Sequence, residues 1–369
     1  MQATISLEQV GGAALMLLFL ADIFLTILYA RVGTGLFAPY WDRAIWALFR
    51  VAARALRRWH GAILSFAGPI IIVSLIGFWA VGLAVGAALV IQPELGTAIR
   101  PSTGEASTDF GTALLIAGNS LSIVGGGDYS PHTTATRLLF LANSLIGASV
   151  LSLVLSYLVQ VYSALRERNA LALTIDLMSD GTGDAAVMLA RLLPDGDSSG
   201  ATSELGNLAR ALVATKEAHH FYPLLFYFRF REPRYAVSRF TVVLLDLTTL
   251  IGSALDRQRY RTLVDSAPVA TLHGGALLLV QTLHRHFAVA ARTHSPAAEA
   301  SRDGKSDDAA MATLAHAGIA VRPDGLGRYV AMRREWEPFA TRVLPGAGYA
   351  VDEIDRRSDS RQHHPGTGI

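Results

Sequence analysis

The chain has no cysteine, which excludes disulfides, thiolate metal sites and cysteine nucleophiles. Charge is also scarce: 17% of the 369 residues are Asp, Glu, Lys or Arg, against 51% hydrophobic. Gly61–Gln92 carries no charge at all, and neither does Leu138–Leu165. A dinucleotide fingerprint is missing, because Gly181 and Gly183 have no preceding strand pattern and no third glycine. The pairs His219-His220 and His284/His286 lack the i,i+4 spacing and the carboxylates of a zinc site. The carboxylates are scattered and the serines stand in no nucleophile motif, so enzymatic activity is not expected. No resident cofactor or metal and no nucleic-acid partner is expected either. No span carries arginine at every third position, which excludes a voltage sensor of the usual kind. There is no internal repeat.

Apolar length is what the chain does have. Val10–Ala30, Gly61–Gln92 and Leu138–Leu165 each reach the ~20 residues needed to cross a hydrocarbon core. The first has no basic flank of the kind that precedes a cleaved signal sequence, and its apolar run is too long for one. Three membrane spans are expected. Arg31, Arg43, Arg50, Arg54, Arg57 and Arg58 lie between the first two spans against one acid, Asp42, and Arg166 and Arg168 follow the third. The segment between the second and third spans is mixed or acidic, with Glu94, Arg100, Glu105 and Asp109. Positive charge stays cytoplasmic, so the N-terminus is expected outside, and the arginine loop and C-terminal half inside, a cell inner (plasma) membrane. Asp22 interrupts the first span; a structural reading, in which a hydrogen bond to a neighbouring span or to Arg31 satisfies it, stands ahead of a role in ion handling.

Within residues 35–60, Trp41, Ile45, Leu48, Phe49, Ala52, Leu56 and Trp59 recur at helical spacing, with the arginines opposite. Such a helix lies in a membrane interface with its arginines on anionic headgroups; the other reading packs it on the protein's own cytosolic part. Asp109 can cap a helix over Phe110–Ser120, which is too short to span and too apolar for a loop. Then comes Leu121-Ser-Ile-Val-Gly-Gly-Gly-Asp128. Gly125 and Gly127 allow left-handed backbone without a Cβ clash, so successive carbonyls can point at one axis, the way cation filters replace an ion's hydration shell.

This stretch resembles the selectivity filter of the potassium channel superfamily, Thr-Val-Gly-Tyr-Gly-Asp. Outer helix, pore helix, Gly-x-Gly-Asp and inner helix follow one another in the family's order over roughly residues 62–168. The resemblance implies an all-α membrane protein: an outer helix–pore helix–filter–inner helix module (61–168) with an extra N-terminal span (1–34). It implies a homotetramer that passes monovalent cations, potassium foremost, through a filter of Ile123, Val124, Gly125, Gly126, Gly127 and Asp128. Asn119 and Ser122 would support the filter from behind, Asn119 by bonding Asp128. Gly147 stands where the family has a gating hinge in its inner helix, and part of Asn143, Ser144, Ser149, Ser152, Ser156 and Gln160 would line the cavity. Two departures matter. Ile123 replaces the threonine whose hydroxyl completes the innermost ion site, and Gly126 replaces the aromatic residue that braces the filter. A non-selective cation channel and a non-conducting membrane scaffold or sensor therefore stand beside the potassium reading.

Residues 169–369 are expected to form a helical cytoplasmic domain whose ligand or partner is unknown. Apolar residues at helical spacing mark Ala170–Met178, Ala185–Leu193, Leu205–Ala214, Val242–Leu255 and Ala276–Phe287. Thr293–Asp308 reads as a polar linker, and the last dozen residues as a disordered tail. The aromatic and basic run His219–Tyr235 is either buried core rimmed by arginines or a surface for a helix, lipid headgroup or anion.

Overall fold

The computed structural model describes residues 6–29, 35–122, 127–287, 305–343, 349 and 354. The chain divides into two compact units, Met1–Leu48 with Pro69–Tyr162, and Phe49–Gly68 with Ser163–Ile369. Among the described residues, three helical segments are long and apolar enough to cross a membrane: Leu7–Leu28, Ala67–Glu94 and Thr134–Met178. The protein is an all-α membrane protein.

In the first unit, α1 (Leu7–Ile23) opens with a capping box. Ser6 Oγ accepts from the Gln9 amide and Gln9 Oε1 accepts from the Ser6 amide, so two donors that the helix cannot satisfy are bonded reciprocally. A π-helical turn, Phe24–Leu28, ends the span. The second span is α4 (Ala67–Ile91). A Cβ on Gly12 would come within 2.6 Å of the Gly86 carbonyl, and a Cβ on Gly82 would overlap the Phe19 ring. Gly82 and Gly86 form a small-xxx-small pair of the kind that lets two membrane helices touch at their backbones.

Asp22 is fully buried. Its Oδ1 accepts the Phe37 amide at 2.8 Å and its Oδ2 accepts the Trp79 indole N–H at 2.7 Å. One carboxylate thus joins α1, the chain just before α2 (Ala38–Ala55) and α4. The neighbouring-span partner expected from the sequence is Trp79; Arg31 lies outside the described residues. Around this point Phe19, Phe37 and Phe78 meet edge to face or tilted, and Trp41 stacks on Phe78 while donating to Ser74 Oγ at 3.0 Å. Burial pushes Asp42, on α2, up to about 7; Arg43 opposes the shift and Asp22 adds to it.

The third span and the predicted Ala170–Met178 helix are one element, α6 (Thr134–Met178), of 45 residues. It is about 68 Å long at 1.5 Å per residue and exceeds the ~30 Å hydrocarbon core. Arg166-Glu167-Arg168-Asn169 is polar but contains no glycine or proline to break it.

The second unit contains α3 (His60–Ser65), α7 (Ala185–Leu192), α8 (Ala201–Phe221), α9 (Val237–Ser253), α10 (Arg261–Val264), α11 (Ala267–Phe287), α12 (Lys305–His316) and α13 (Gly325–Val343). Four of the predicted apolar segments fall in α7, α8, α9 and α11. Lys305–Asp308, read from the sequence as the end of a linker, opens α12, where Asp307 and Asp308 sit favourably in the first turn. Helix α9 is buried along nearly its whole length, and its polar groups are matched from around it. Asp246 accepts from Tyr329 Oη at 2.6 Å and pairs with the buried Arg333. Thr249 Oγ1 accepts the Trp336 indole N–H at 3.0 Å, and Thr248 Oγ1 is hydrogen-bonded to His273 Nδ1 at 2.9 Å.

Replacing Asp22 with Leu leaves two buried N–H groups unbonded, which at about 1–3 kcal/mol each predicts a marked loss of stability. Asp22→Asn, which keeps one acceptor, should lose less. Thermal unfolding in detergent measures both; equal midpoints for wild type and Asp22→Leu would contradict the role assigned to Asp22.

Candidate pore

The pore segment starts from a cap. Helix α5 (Phe110–Leu121) follows Asp109, whose Oδ1 accepts the Thr112 amide at 2.9 Å and whose Oδ2 accepts Thr112 Oγ1 at 2.7 Å. Ser107 Oγ donates to the same carboxylate. These hydrogen bonds, Ser107 first, hold the exposed Asp109 well below the usual carboxylate range. The Ser107 amide in turn donates to Tyr129 Oη at 3.0 Å. Tyr129 begins β2 (Tyr129–Pro131), which pairs antiparallel with β1 (Ile99–Pro101). The Ser102 amide donates to the Asp128 carbonyl at 2.6 Å and the His132 amide to the Ala98 carbonyl at 2.9 Å, which extends the ribbon at both ends. A small antiparallel clip therefore holds the chain where it leaves the glycine segment.

The other end of α5 is settled by α6. Four carbonyls, Gly118 to Leu121, have no partner within the helix. The Ser122 amide donates to the Gly118 carbonyl at 2.9 Å and Ser122 Oγ to that of Asn119 at 3.0 Å. Ser144 Oγ, from α6, donates to the Ser120 carbonyl at 3.0 Å. The Leu121 carbonyl packs onto Gly147, where an added Cβ would overlap it. The buried Asn143 amide donates to Ser120 Oγ at 3.0 Å, and Ser120 Oγ donates back to the Ala117 carbonyl at 2.9 Å. On the same helix Ala113 and Ala117 are buried without residual exposure.

Of the residues named from the sequence, Ile123, Val124, Gly125 and Gly126 lie outside the described residues. Gly127 has φ +145°, in the region that favours glycine, and a Cβ there would lie 3.0 Å from Asn119 Nδ2. The Asn119 amide thus stands directly behind Gly127. The Asp128 side chain is exposed. Ser122 caps its own helix. Gly147 lies in an unbroken stretch of α6, and its contact with Leu121 accounts for the glycine by packing. Asn143, considered for the cavity wall, is buried against the pore helix, whereas Ser144 bonds the pore helix and stays exposed. Ser149 lines an apolar groove of about 510 Å³ between the first span and α6, with Leu20, Phe24, Ile146 and Leu153. Ser152, Ser156 and Gln160 are exposed.

The histidines lie elsewhere. His219 in α8 is fully buried with Nδ1 2.8 Å from the Thr215 carbonyl, and burial drives it down to about 3, so the ring is neutral. His286 meets Phe226 at a tilt and Tyr227 edge to face. The aromatic run around them is core: Leu224 to Phe228 are all buried.

Gly147→Ala must push α6 and α5 apart, an overpacking change that typically costs about 1–3 kcal/mol. Ala148→Gly on the exposed side of the same helix turn should cost about 1 kcal/mol from glycine's backbone entropy alone. Detergent-resistant assembly and thermal midpoint are the readouts; a Gly147→Ala protein as stable as wild type contradicts the close contact.

Residues 70–164 match a family model described as an ion channel. No curated protein and no solved structure matched in the same kind of comparison. The match covers α5, the glycine segment and nearly all of α4 and of the apolar part of α6, the elements assembled above. Residues 70–164 are an ion-channel domain of the two-transmembrane, pore-loop type.

Proposed function

We propose that the protein is a potassium-channel-like cation channel, a homotetramer passing ions passively through a carbonyl-lined filter of Ile123, Val124, Gly125, Gly126, Gly127 and Asp128. The observation that carries this reading is the pinned C-terminal end of α5. Its dipole places partial negative charge at that end, Ser144 and Gly147 fix where the end sits, and the filter segment begins two residues later, at Ile123. The positive φ of Gly127 fits a backbone that turns its carbonyls alternately from the usual direction. One chain supplies one pore segment, so a closed filter requires several copies around an axis. Leu115, 67% exposed on a helix that has to lie within the membrane, fits burial against a neighbouring subunit.

The protein would reside in the cell inner (plasma) membrane, with the N-terminus and Asp128 outside and Arg43, Arg50, Arg54 and Arg58 inside. Leu48, Val51, Leu56 and Trp59, all more than half exposed, support an interfacial position for this segment against anionic headgroups.

Gly126 leaves the filter without its aromatic brace, and Ile123 leaves the innermost site without a hydroxyl. Ile123→Thr combined with Gly126→Tyr is expected to raise the potassium-to-sodium permeability ratio by about tenfold, equivalent to ~1.4 kcal/mol of discrimination. Reversal potentials in planar bilayers measure it. An unchanged ratio in a conducting protein would remove these residues from the filter, and a pore silent before and after would favour the scaffold reading.

A further inference from the structure

The aromatic segment between α8 and α9 touches two other parts of the chain, all within the second unit. Arg168, on α6, is 1% exposed, and its guanidinium donates to the carbonyls of Leu225 at 2.9 Å and Phe228 at 3.1 Å. The remaining acceptor described for it is the Asn169 side-chain oxygen, and the Phe230 ring lies 5.7 Å from its central carbon. Leu225 lies in a short 3-10 turn, Pro223–Tyr227, and its carbonyl also accepts the Phe228 amide at 3.3 Å; Phe228 follows that turn. From the same segment, Phe228 lays its ring on Gly68: a Cβ there would lie 2.8 Å from the Phe228 Cγ. Its neighbour Arg229 donates to the Gly61 carbonyl at 3.2 Å, and is covered by the Tyr349 ring at 4.3 Å. Tyr349 Oη donates to the Phe230 carbonyl at 3.1 Å, closing the cluster.

Gly61 is in α3, and Gly68 is the second residue of α4, the helix that runs on as the outer span. Arg168 is in the helix that runs on, towards its N-terminus, as the inner span. A single segment of seven residues, Leu224–Phe230, therefore holds the foot of the outer span and the foot of the inner span at once. A hydrophobic core needs no guanidinium at its centre, and desolvating one costs several kcal/mol unless its hydrogen bonds are well made. A directional link of this kind fixes where α6 stands relative to the segment, which apolar packing alone does less strictly.

We propose that Arg168 and Arg229 are positioning residues of a gating clamp: Leu224–Phe230 sets the spacing between the feet of the outer and inner spans, and thereby the ratio of open to shut pores. This rests on the channel reading above. A change in the cytoplasmic helices that moves this segment would move both feet together, and would shift the pore by the difference in free energy of the clamp between the two states.

The absence of native cysteine makes a direct test available. The double variant Gly68→Cys with Phe228→Cys is reconstituted in planar bilayers and its open fraction recorded oxidised, then after reductant, in the same membrane. Arg168→Gln and Arg229→Gln are recorded alongside, with the potassium-to-sodium permeability ratio measured throughout. The clamp predicts that oxidation and the glutamine variants shift the ratio of open to shut pores in opposite directions, Arg168→Gln by tenfold or more. The permeability ratio should stay fixed and reductant should reverse the oxidised state. Failure of the two cysteines to form a disulfide, or an open fraction that differs less than twofold between oxidised and reduced protein, overturns the proposal. The oxidised and reduced states are one folded protein, so a folding defect in Arg168→Gln does not decide the outcome. If the wild-type protein passes no current, the channel reading fails rather than the clamp alone.

Discussion

A helix that stops inside a hydrocarbon layer leaves its last carbonyls without water, and each unbonded group there costs several kcal/mol. The end of the pore helix is where this constraint bears on the protein most heavily. The chain meets it with its own next residue, Ser122, and with a strip of α6 one turn long, Asn143, Ser144 and Gly147. The solution fixes more than the carbonyls. Once Ser144 and Gly147 are engaged, the pore helix can no longer slide or rotate against the inner span, and the start of the glycine segment is set. The antiparallel clip at Tyr129–Pro131 fixes the other end. A glycine-rich segment loses much entropy on ordering, and anchoring both its ends offsets part of that loss.

The extra N-terminal span obeys the same logic. A carboxylate at Asp22 is costly in the membrane, and it is retained because two N–H donors from different elements converge on it. Neither the Phe37 amide nor the Trp79 indole has another described partner. Donors and acceptor thus hold one another in place, while Gly12, Gly82 and Gly86 let α1 approach α4 closely enough for the arrangement to close. In the second unit the buried pair of Asp246 and Arg333 plays a comparable part: each polar group on the enclosed helix α9 specifies which partner helix lies beside it. Apolar burial supplies most of the stability of the second unit, close packing of the spans that of the first, and these few polar links select the register.

How much of this the amino-acid sequence discloses depends on the range of the interaction. The spans and the pore helix rest on local hydropathy, and the expected Phe110–Ser120 differs from the observed Phe110–Leu121 by one residue. The Asp109 cap is equally local and equally legible. The pairing of Ser120 with Asn143 is not, because side chains 23 residues apart leave no mark in a single sequence. Asn143 therefore reads as cavity lining when it is buried against the pore helix. The backbone contact of α1 and α4 had a usable signal in Gly82-x-x-x-Gly86. Strands of three residues are below what alternation can detect, so the clip after the glycine segment left none. Helix α13 escaped notice for a different reason: its buried face carries Tyr329, Arg333 and Trp336, and a buried arginine breaks an apolar stripe. The same holds for Arg168, which reads as a cytoplasmic flanking charge and turns out to be enclosed.

Ion flux through the purified protein in liposomes, with potassium, sodium and a bulky organic cation compared, tests the central claim most directly. A pore built on a docked pore helix and a glycine filter predicts a potassium flux well above that of the organic cation, with sodium at or below potassium. Equal flux of all three, or none across a range of voltage and pH, would contradict it.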